Sequence, residues 1–383
     1  MTISYNKLSV RVHTDRICDN FRLLGKLAPS PVAIIKSDAY GHGLLPVSRA
    51  LAAAGAATLA VGTVGEAVQL RNGDRNNGGS GRYGGFDGRI IALLGATDAE
   101  EARACHAERI IPFVFSLDHL RVLSQAGSAE SPVAVALKFD TGMARLGFSE
   151  NDLPELITAL RTLPGVRLSM VASHFAASDE PDKDDFTRTQ HACFTKIIRS
   201  LRESGFAFEA TIANSAALLA HAETHHDLQR PGIALYGANP LHGTKREHLG
   251  AALVPAMEVS APVLQVHDLP KGTSISYGRT FTAPRHMRVA IVAAGYADAY
   301  SRGLSNRGSM VIHDHRAPIV GRVCMQMTAV DVTDLPPVCS GDTAWLLGGG
   351  GNNPVTPEDL SAWWGTIPYE VFCLLGMNPK TFF

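Results

Sequence analysis

Residues 31–36 read Pro-Val-Ala-Ile-Ile-Lys, an apolar run that ends on a lysine and gives way at once to Ser37-Asp38-Ala39-Tyr40-Gly41-His42-Gly43. A short, unbroken apolar stretch bounded by turn residues predicts a strand buried on both faces. Seven more such runs follow: ATLAVGT (57–63), RIIALLG (89–95), IIPFVFS (110–116), VAVALKFD (133–140), RLSMVASH (167–174), FEATIANS (208–215) and IALYG (233–237). Segments with helical periodicity and polar caps separate them, which is the pattern of βα units around a parallel sheet. Eight units predict an α/β fold, a (β/α)8 barrel of the TIM type, although the count alone also suits a doubly wound open sheet. The strand ends favour the barrel. Lys36, Asp140, His174 and the pair Asn214-Ser215 all close apolar runs, and barrel active sites are assembled at C-terminal strand ends.

Two departures from this rhythm set the domain plan. Residues 72–88, NGDRNNGGSGRYGGFDG, hold seven glycines and almost nothing able to join a core, so they read as a flexible surface insertion. They lack the GKS/T ending of a phosphate-binding P-loop. Beyond residue 240, strands joined by short turns take over: SAPVLQVHDL, MRVAIVAAGY, SMVIHD, APIVGRVCM, AVDVTDL and DTAWLLGG. The chain therefore divides into a barrel domain, 1–240, and a mainly β C-terminal domain, 241–383, with the first ten or so residues free to pack against the latter. Thr356-Pro357-Glu358-Asp359 and Thr366-Ile367-Pro368-Tyr369 each offer a cap followed by proline, so the chain closes on two helices. GGGG at 348–351, before Asn352 and Asn353, reads as a loop leaving a strand.

Lysine and arginine total 35 against 36 aspartates and glutamates in 383 residues, with no basic or acidic tail. That balance gives no electrostatic footprint for nucleic acid or an anionic membrane. The longest uncharged run, residues 50–65, is broken by Gly55 and Gly62 and is shorter than the roughly 18 residues of a spanning helix. The opening MTISYNKLSVRVHTDR mixes charges early and lacks the apolar core of a secretory signal, which points to the cytoplasm. Six cysteines without a CxxC predict reduced, mostly buried thiols. His221, His225 and His226 include an i,i+4 pair, but with no HExxH they read as a solvated helix end and no metal is expected.

Lys36 is the first residue with chemistry to offer. A lysine flanked by apolar backbone acquires a lowered pKa, the condition for a Schiff-base lysine, whereas a lone strand-end lysine is otherwise a solvated charge. The Gly-rich turn after it would let backbone and Tyr40 approach an anionic ligand.

The stretch VAIIKSDAYGHG (32–43) closely resembles the pyridoxal-phosphate (PLP) lysine signature of the alanine racemases. Further blocks resemble that family in its own order: LKFDTGMARLGF (137–148), SHFAASDE (173–180), ANSAALL (213–219), RPGIALYG (230–237), SISYGRTF (274–281), GYADAYSRGLSNRG (295–308), GRVCMQM (321–327) and IPYEVFCLLG (367–376). The resemblance spans essentially the whole chain. It implies a fold-type III PLP enzyme with an N-terminal (β/α)8 barrel and a C-terminal β domain, working as a homodimer whose sites are each built from both subunits. The implied reaction interconverts L- and D-alanine, and in a bacterial cytoplasm would supply D-alanine for peptidoglycan.

Position by position, the resemblance makes Lys36 the cofactor-bearing lysine and the base on one face of the substrate's α-carbon. Tyr277 becomes the opposite base, donated across the dimer. Racemisation needs two proton-transfer groups on opposite sides of a planar carbanion, and one group cannot serve both faces without moving around the cofactor. Arg230 matches the arginine placed against the pyridine nitrogen, where a cation keeps that nitrogen unprotonated and limits transamination. His174 is implied between Arg230 and Tyr277. Tyr40, Ser215, Tyr369 and the backbone of Gly232 and Ile233 are implied phosphate ligands, with Asn214 beside the cofactor; hydroxyls and free N–H groups suit a phosphate. Arg145 is implied at the substrate carboxylate or the cofactor's phenolic oxygen, positioned by Lys138, which many family members carry carbamylated. Met325 is implied to offer its N–H to the carboxylate, and Tyr296 to line the substrate's approach. Gln326 departs from the family's usual aspartate, and loss of that anion implies a reduced or shifted activity.

Three other readings stand beside this one. A racemase of broader specificity, acting on serine for example, has the same motifs. A barrel decarboxylase or a non-catalytic PLP-binding protein would share the barrel, but the block around Tyr277 and the second domain argue against both.

Overall fold

The computed structural model describes residues 6–28, 30–73, 84–351 and 353–383. A short strand, β1 (Ser9–Val12), precedes the helix Thr14–Leu27, whose residues Ile17, Phe21 and Leu24 are buried. Seven parallel strands then pair in chain order: β2 (Ala33–Ile34), β3 (Thr58–Val61), β4 (Arg89–Ala92), β5 (Ile110–Val114), β6 (Val133–Lys138), β7 (Val166–Ala172) and β8 (Glu209–Thr211). Every residue of β3 and β5 is buried, as expected when helices cover one face and barrel side chains fill the other. The loops after these strands end in side-chain caps. Thr63 and Glu66 form a capping box on Val64–Asn72, Asp98 accepts from the N–H groups of Glu100 and Glu101, and Ser116 accepts from His119 N–H.

The eighth stave is not IALYG, and that expectation is corrected here. Residues 233–236 form a buried 3-10 turn that ends on Gly237 at φ +85°. The sheet is closed one step earlier, by Gln229 to Pro231. Gln229 O accepts from Val32 N–H at 2.7 Å and Pro231 O from Ile34 N–H at 3.0 Å, while Leu228 and Arg230 donate to Ala210 O and Ala213 O. IALYG is apolar because it is buried, and burial alone does not separate strand from helical turn in so short a run.

The second domain is built on β9 (Met257–Leu269), a strand long enough to pair with β1, β12 and β16. Around it lie the hairpin β10 (Ser274–Ile275) and β11 (Phe281–Thr282), then β12 (Met287–Val292), β13 (Ser309–Ile312), β14 (His315–Pro318), β15 (Thr328–Asp331), β16 (Thr343–Leu347) and β17 (Lys380–Phe382). The main path runs β14-β13-β16-β9-β1-β17, so both ends of the chain lie in this sheet. Of APIVGRVCM only the first two residues are strand; the rest turns back on itself near Cys324. Gly348 pairs with Val355 across the glycine loop, and Asn352 lies outside the described residues. So does 74–83, the centre of the glycine-rich segment.

Helix Pro357–Trp364 starts on a Thr356 and Asp359 capping box, but helix Pro368–Leu375 is capped at Ile367, one residue later than Thr366. Thr366 turns its hydroxyl to the Glu370 carboxylate instead. His221 is not solvated: it is buried, with Nε2 3.2 Å from Ser178 O and 3.4 Å from Arg246, a side chain distant in sequence that covers it. The six cysteines are free, but only Cys18 and Cys105 are buried; Cys339 is exposed and the other three are half-buried.

Candidate active site

Lys36 follows β2 and opens a left-handed turn. Ser37, Asp38, Ala39 and Tyr40 have φ between +53° and +55°, and Gly41 has φ +78°. For L-residues this conformation costs about 1–2 kcal/mol each, so the surroundings must over-determine it. They do. Asp38 Oδ1 accepts from Leu44 N–H at 2.7 Å, Asp38 N–H donates to Glu66 Oε1 at 3.3 Å, and Lys380 Nζ lies 2.9 Å from Asp38 Oδ2. Behind the turn, a Cβ on Gly41 would lie 2.4 Å from Phe372 O, so the C-terminal helix is seated directly on the glycine. His42, wholly buried between Tyr236 and Phe372, bonds through Nδ1 to Tyr40 O at 3.0 Å.

The barrel mouth is strongly cationic. Burial lowers the Lys36 pKa, and the Arg145 guanidinium lowers it further. Burial and then Arg230 bring Lys138 down to about 7, with Nζ 2.6 Å from Phe139 O. His174 is held well below its ordinary value by burial, then by Arg230, Lys138, Arg145 and Lys36, so it is a neutral imidazole among four cationic groups. Arg145 stands exposed in the loop after β6, where Asp140 Oδ1 accepts from the N–H groups of Gly142, Met143 and Ala144. Such a concentration of positive charge over a barrel mouth suits a small anion-bearing ligand.

Arg230 is buried with no carboxylate partner among the described residues. It donates to Thr211 Oγ1 at 2.6 Å and Ser173 O at 2.5 Å, and lies 3.3 Å from His174 Nδ1. Burial lowers its pKa only to about 10, so it stays charged near neutrality. Guanidinium only donates, so His174 Nδ1 accepts and its proton is on Nε2. The Arg230 Nε–H has no protein acceptor among the described residues.

Ser215, Gly232, Ile233 and Tyr40 meet at one edge of the mouth. Ser215 Oγ accepts from Gly232 N–H at 2.8 Å and Ala234 N–H at 3.3 Å. A Cβ on Gly232 would lie 2.4 Å from Tyr40 Oη, so only glycine admits the tyrosine there. The Tyr40 ring stacks on Tyr236 with centroids 4.8 Å apart and lies 5.8 Å from Tyr369. Burial pushes both hydroxyls up, Tyr369 to about 12, which keeps them protonated donors. Neither the Tyr40 hydroxyl nor the Ile233 N–H has a protein acceptor among the described residues. Asn214 is otherwise engaged, because its Oδ1 caps helix Ser215–Ala220 through Ala217 N–H and accepts from Ser178 Oγ.

The remaining candidates lie in the second domain. Cys324 to Met327 form a tight turn in which Cys324 O accepts from Tyr296 N–H and Met325 O from Ala297 N–H. Gly295 permits that approach, since a Cβ there would lie 2.2 Å from Cys324 O. Met325 and Gln326 are exposed on it, and Tyr296 beside it is half-exposed. Tyr277, 71 % exposed, sits on a 3-10 turn of the β10–β11 hairpin. That hairpin packs through Ile275 and Phe281 on a small apolar cluster separate from the main core. Within the chain Tyr277 makes no hydrogen bond to His174 among the described residues. Sequence reading missed Glu66 and Lys380 as neighbours of the lysine turn. The Thr63-x-x-Glu66 capping-box spacing was visible, but nothing local marks Lys380.

A closed barrel with a pKa-depressed lysine at one strand end, unpaired donors beside it and a β domain presenting a tyrosine outward defines an enzyme of amino-group chemistry. Comparison with known proteins narrows the class. Residues 12–240 match the family model "Alanine racemase, N-terminal domain" and residues 256–383 match "Alanine racemase, C-terminal domain". An alanine racemase from Nitratidesulfovibrio vulgaris (strain Miyazaki F) is 59 % identical over 381 residues, covering 100 % of this chain and 99 % of that one. The crystal structure of alanine racemase from Streptomyces lavendulae, a D-cycloserine producer, matches with a TM-score of 0.88 at 32 % identity, covering 100 % of this chain and 98 % of that chain. That of alanine racemase from Bartonella henselae with covalently bound pyridoxal phosphate matches with a TM-score of 0.83 at 28 % identity, over 98 % and 99 % of the two chains. The chain belongs to the alanine racemase family, whose members are amino-acid isomerases. Among the described residues no helix is long and apolar enough to cross a membrane, and no group of three or more histidine, cysteine or acidic side chains is placed to hold a metal ion.

Proposed function

We propose that this protein interconverts L- and D-alanine with pyridoxal 5'-phosphate as cofactor, as a cytoplasmic homodimer that supplies D-alanine for peptidoglycan. The observation that carries the reading is the half-buried, pKa-lowered Lys36 at a barrel mouth that also holds three donors without protein acceptors among the described residues: the Tyr40 hydroxyl, the Ile233 N–H and the Arg230 Nε–H. These donors fit the phosphate and ring nitrogen of that cofactor. Bound there, the cofactor would supply the electron sink that makes an amino acid's α-proton acidic.

Tyr40, Ser215, Tyr369 and the Ile233 N–H would hold the phosphate, joined by the Gly232 N–H if it turned from Ser215 Oγ, with Asn214 fixing the start of the helix behind Ser215. Arg230, charged at neutral pH, would face the ring nitrogen with its Nε–H, and a cation there would leave that nitrogen unprotonated. His174 orients that guanidinium through Nδ1. Lys36 Nζ, with its lowered pKa, exchanges the α-proton on one face. Tyr277 of the partner subunit exchanges it on the other. Arg145 holds the substrate carboxylate, helped by the Met325 N–H, while Tyr296 and Gln326 border the approach. Lys138, brought to about 7, has enough neutral amine near neutrality to take up carbon dioxide, and the resulting carbamate holds Arg145.

The test is chiral chromatography of L-alanine and, in parallel, L-serine after incubation with the purified protein and PLP. Alanine should drift to equal enantiomers and the Lys36→Ala variant should leave it unchanged. A yellow, cofactor-loaded protein that alters neither amino acid would defeat the reading; serine racemised as fast as alanine would replace it with a racemase of broader specificity.

A further inference from the structure

The left-handed turn that carries Lys36 is tied to the far end of the chain. Lys380, at the start of β17, reaches into the barrel mouth from the second domain and bonds Asp38 Oδ2 at 2.9 Å and Gly376 O at 2.5 Å. Its side chain is only 16 % exposed, whereas Asp38 is half-exposed. Asp38 is two residues past Lys36, in the middle of the strained run, and its other oxygen holds Leu44 N–H. β17 itself is fixed by parallel pairing to β1 and not by the barrel. The bond therefore crosses from the second domain's sheet to the turn that carries Lys36.

We propose that Lys380 is a positioning residue for Lys36, acting through Asp38. The inference rests on Lys36 being one of two proton-exchanging groups, as read above. A half-exposed ion pair contributes little to stability, but a small displacement of a proton-transfer group costs far more in rate. Loss of Lys380 leaves the Asp38 carboxylate held by Leu44 N–H alone, so the strained turn loosens and carries Lys36 Nζ with it. Tyr277, on the other face, is untouched.

The experiment uses the holoenzyme in four forms: wild type, Lys380→Met, Asp38→Asn and the double variant, with Lys380→Arg as the conservative substitution. Asparagine keeps the acceptor for Leu44 N–H and tolerates a left-handed backbone. In Lys380→Met, kcat/KM for alanine should fall about tenfold or more, equally in both directions because the two enantiomers are equal in energy, with the melting temperature within about 3 °C of wild type. α-Deuterated L- and D-alanine give the readout that a merely loosened structure would not move. The isotope effect should rise in the direction where Lys36 removes the proton and fall in the other. Asp38→Asn should behave alike, the double variant should be no worse than either single, and Lys380→Arg should recover most of the rate. Isotope effects that move together, additive losses, or a Lys380→Met rate within twofold of wild type would overturn the proposal. A wild type that does not racemise alanine would instead sink the underlying reading.

Discussion

Lys138 shows how a single side chain registers its surroundings. Its amine is buried beside Arg230, so its pKa falls from 10.5 to about 7. Between those values the unfolded chain binds a proton that the folded chain does not, so this group's contribution to stability rises with pH across that window and is least favourable below about 7. In buffer freed of carbon dioxide, Lys138→Met should therefore be more stable than wild type in urea melts at pH 6, with the gap closing as pH approaches 10. A gap that widens with pH would contradict the burial argument. In bicarbonate, native mass spectrometry should find one added carbon dioxide in wild type and none in Lys138→Met. Lys36 was legible as a candidate because it ends an apolar run, and Arg230 only through the RPGIALYG block that resembles the family's. Their electrostatic state was not, since it is set by burial in the folded barrel and, for Lys36, then by Arg145 from the loop after β6.

Elements answer to local chemistry more directly. The Thr356 cap and proline at N1 were readable in four letters, and the helix starts there with Thr356 Oγ1 accepting from Asp359 N–H at 3.0 Å. Thr356→Ala should cost about 1 kcal/mol, a drop of a few degrees in melting temperature, and leave activity unchanged. Gly41→Ala is a small change with a large expected effect: φ is +78° and the new Cβ would lie 2.4 Å from Phe372 O. That variant should lose bound cofactor, seen as loss of its visible absorbance, even where circular dichroism reports a folded barrel. The eighth stave was misplaced by the same local logic that found the other seven. Leu228 to Pro231 carries no apolar alternation, because Arg230 faces the mouth and Gln229 is spent on a wholly buried contact. Its backbone hydrogen bonds to Val32 and Ile34, and a single bridge to Pro31, are what close the sheet there.

At the scale of the molecule, the exposed Tyr277 and the half-buried Lys36 belong to different domains, and the Tyr277 hairpin packs on a small apolar cluster apart from the main core that runs through both. If each site is shared, mixing Lys36→Ala subunits with Tyr277→Phe subunits should restore up to about a quarter of wild-type activity at equal ratio, because in a hybrid dimer one of the two sites retains both bases. No recovery despite subunit exchange proven by native mass spectrometry would exclude a shared site.

The sequence by itself determined the alternation of strand and helix, the Thr356 cap, the change of architecture in the second domain and the choice of Lys36 as the candidate reactive lysine. All of these rest on interactions within about ten residues of one another, or on motifs whose order is linear. Only the tertiary structure decided where the barrel closes, why four consecutive residues after Lys36 are left-handed, and that Lys380 and Phe372 hold them there. Those facts depend on contacts between residues 197 to 342 positions apart, which no local pattern encodes because the strained turn is stable only when the folded surface around it is complete.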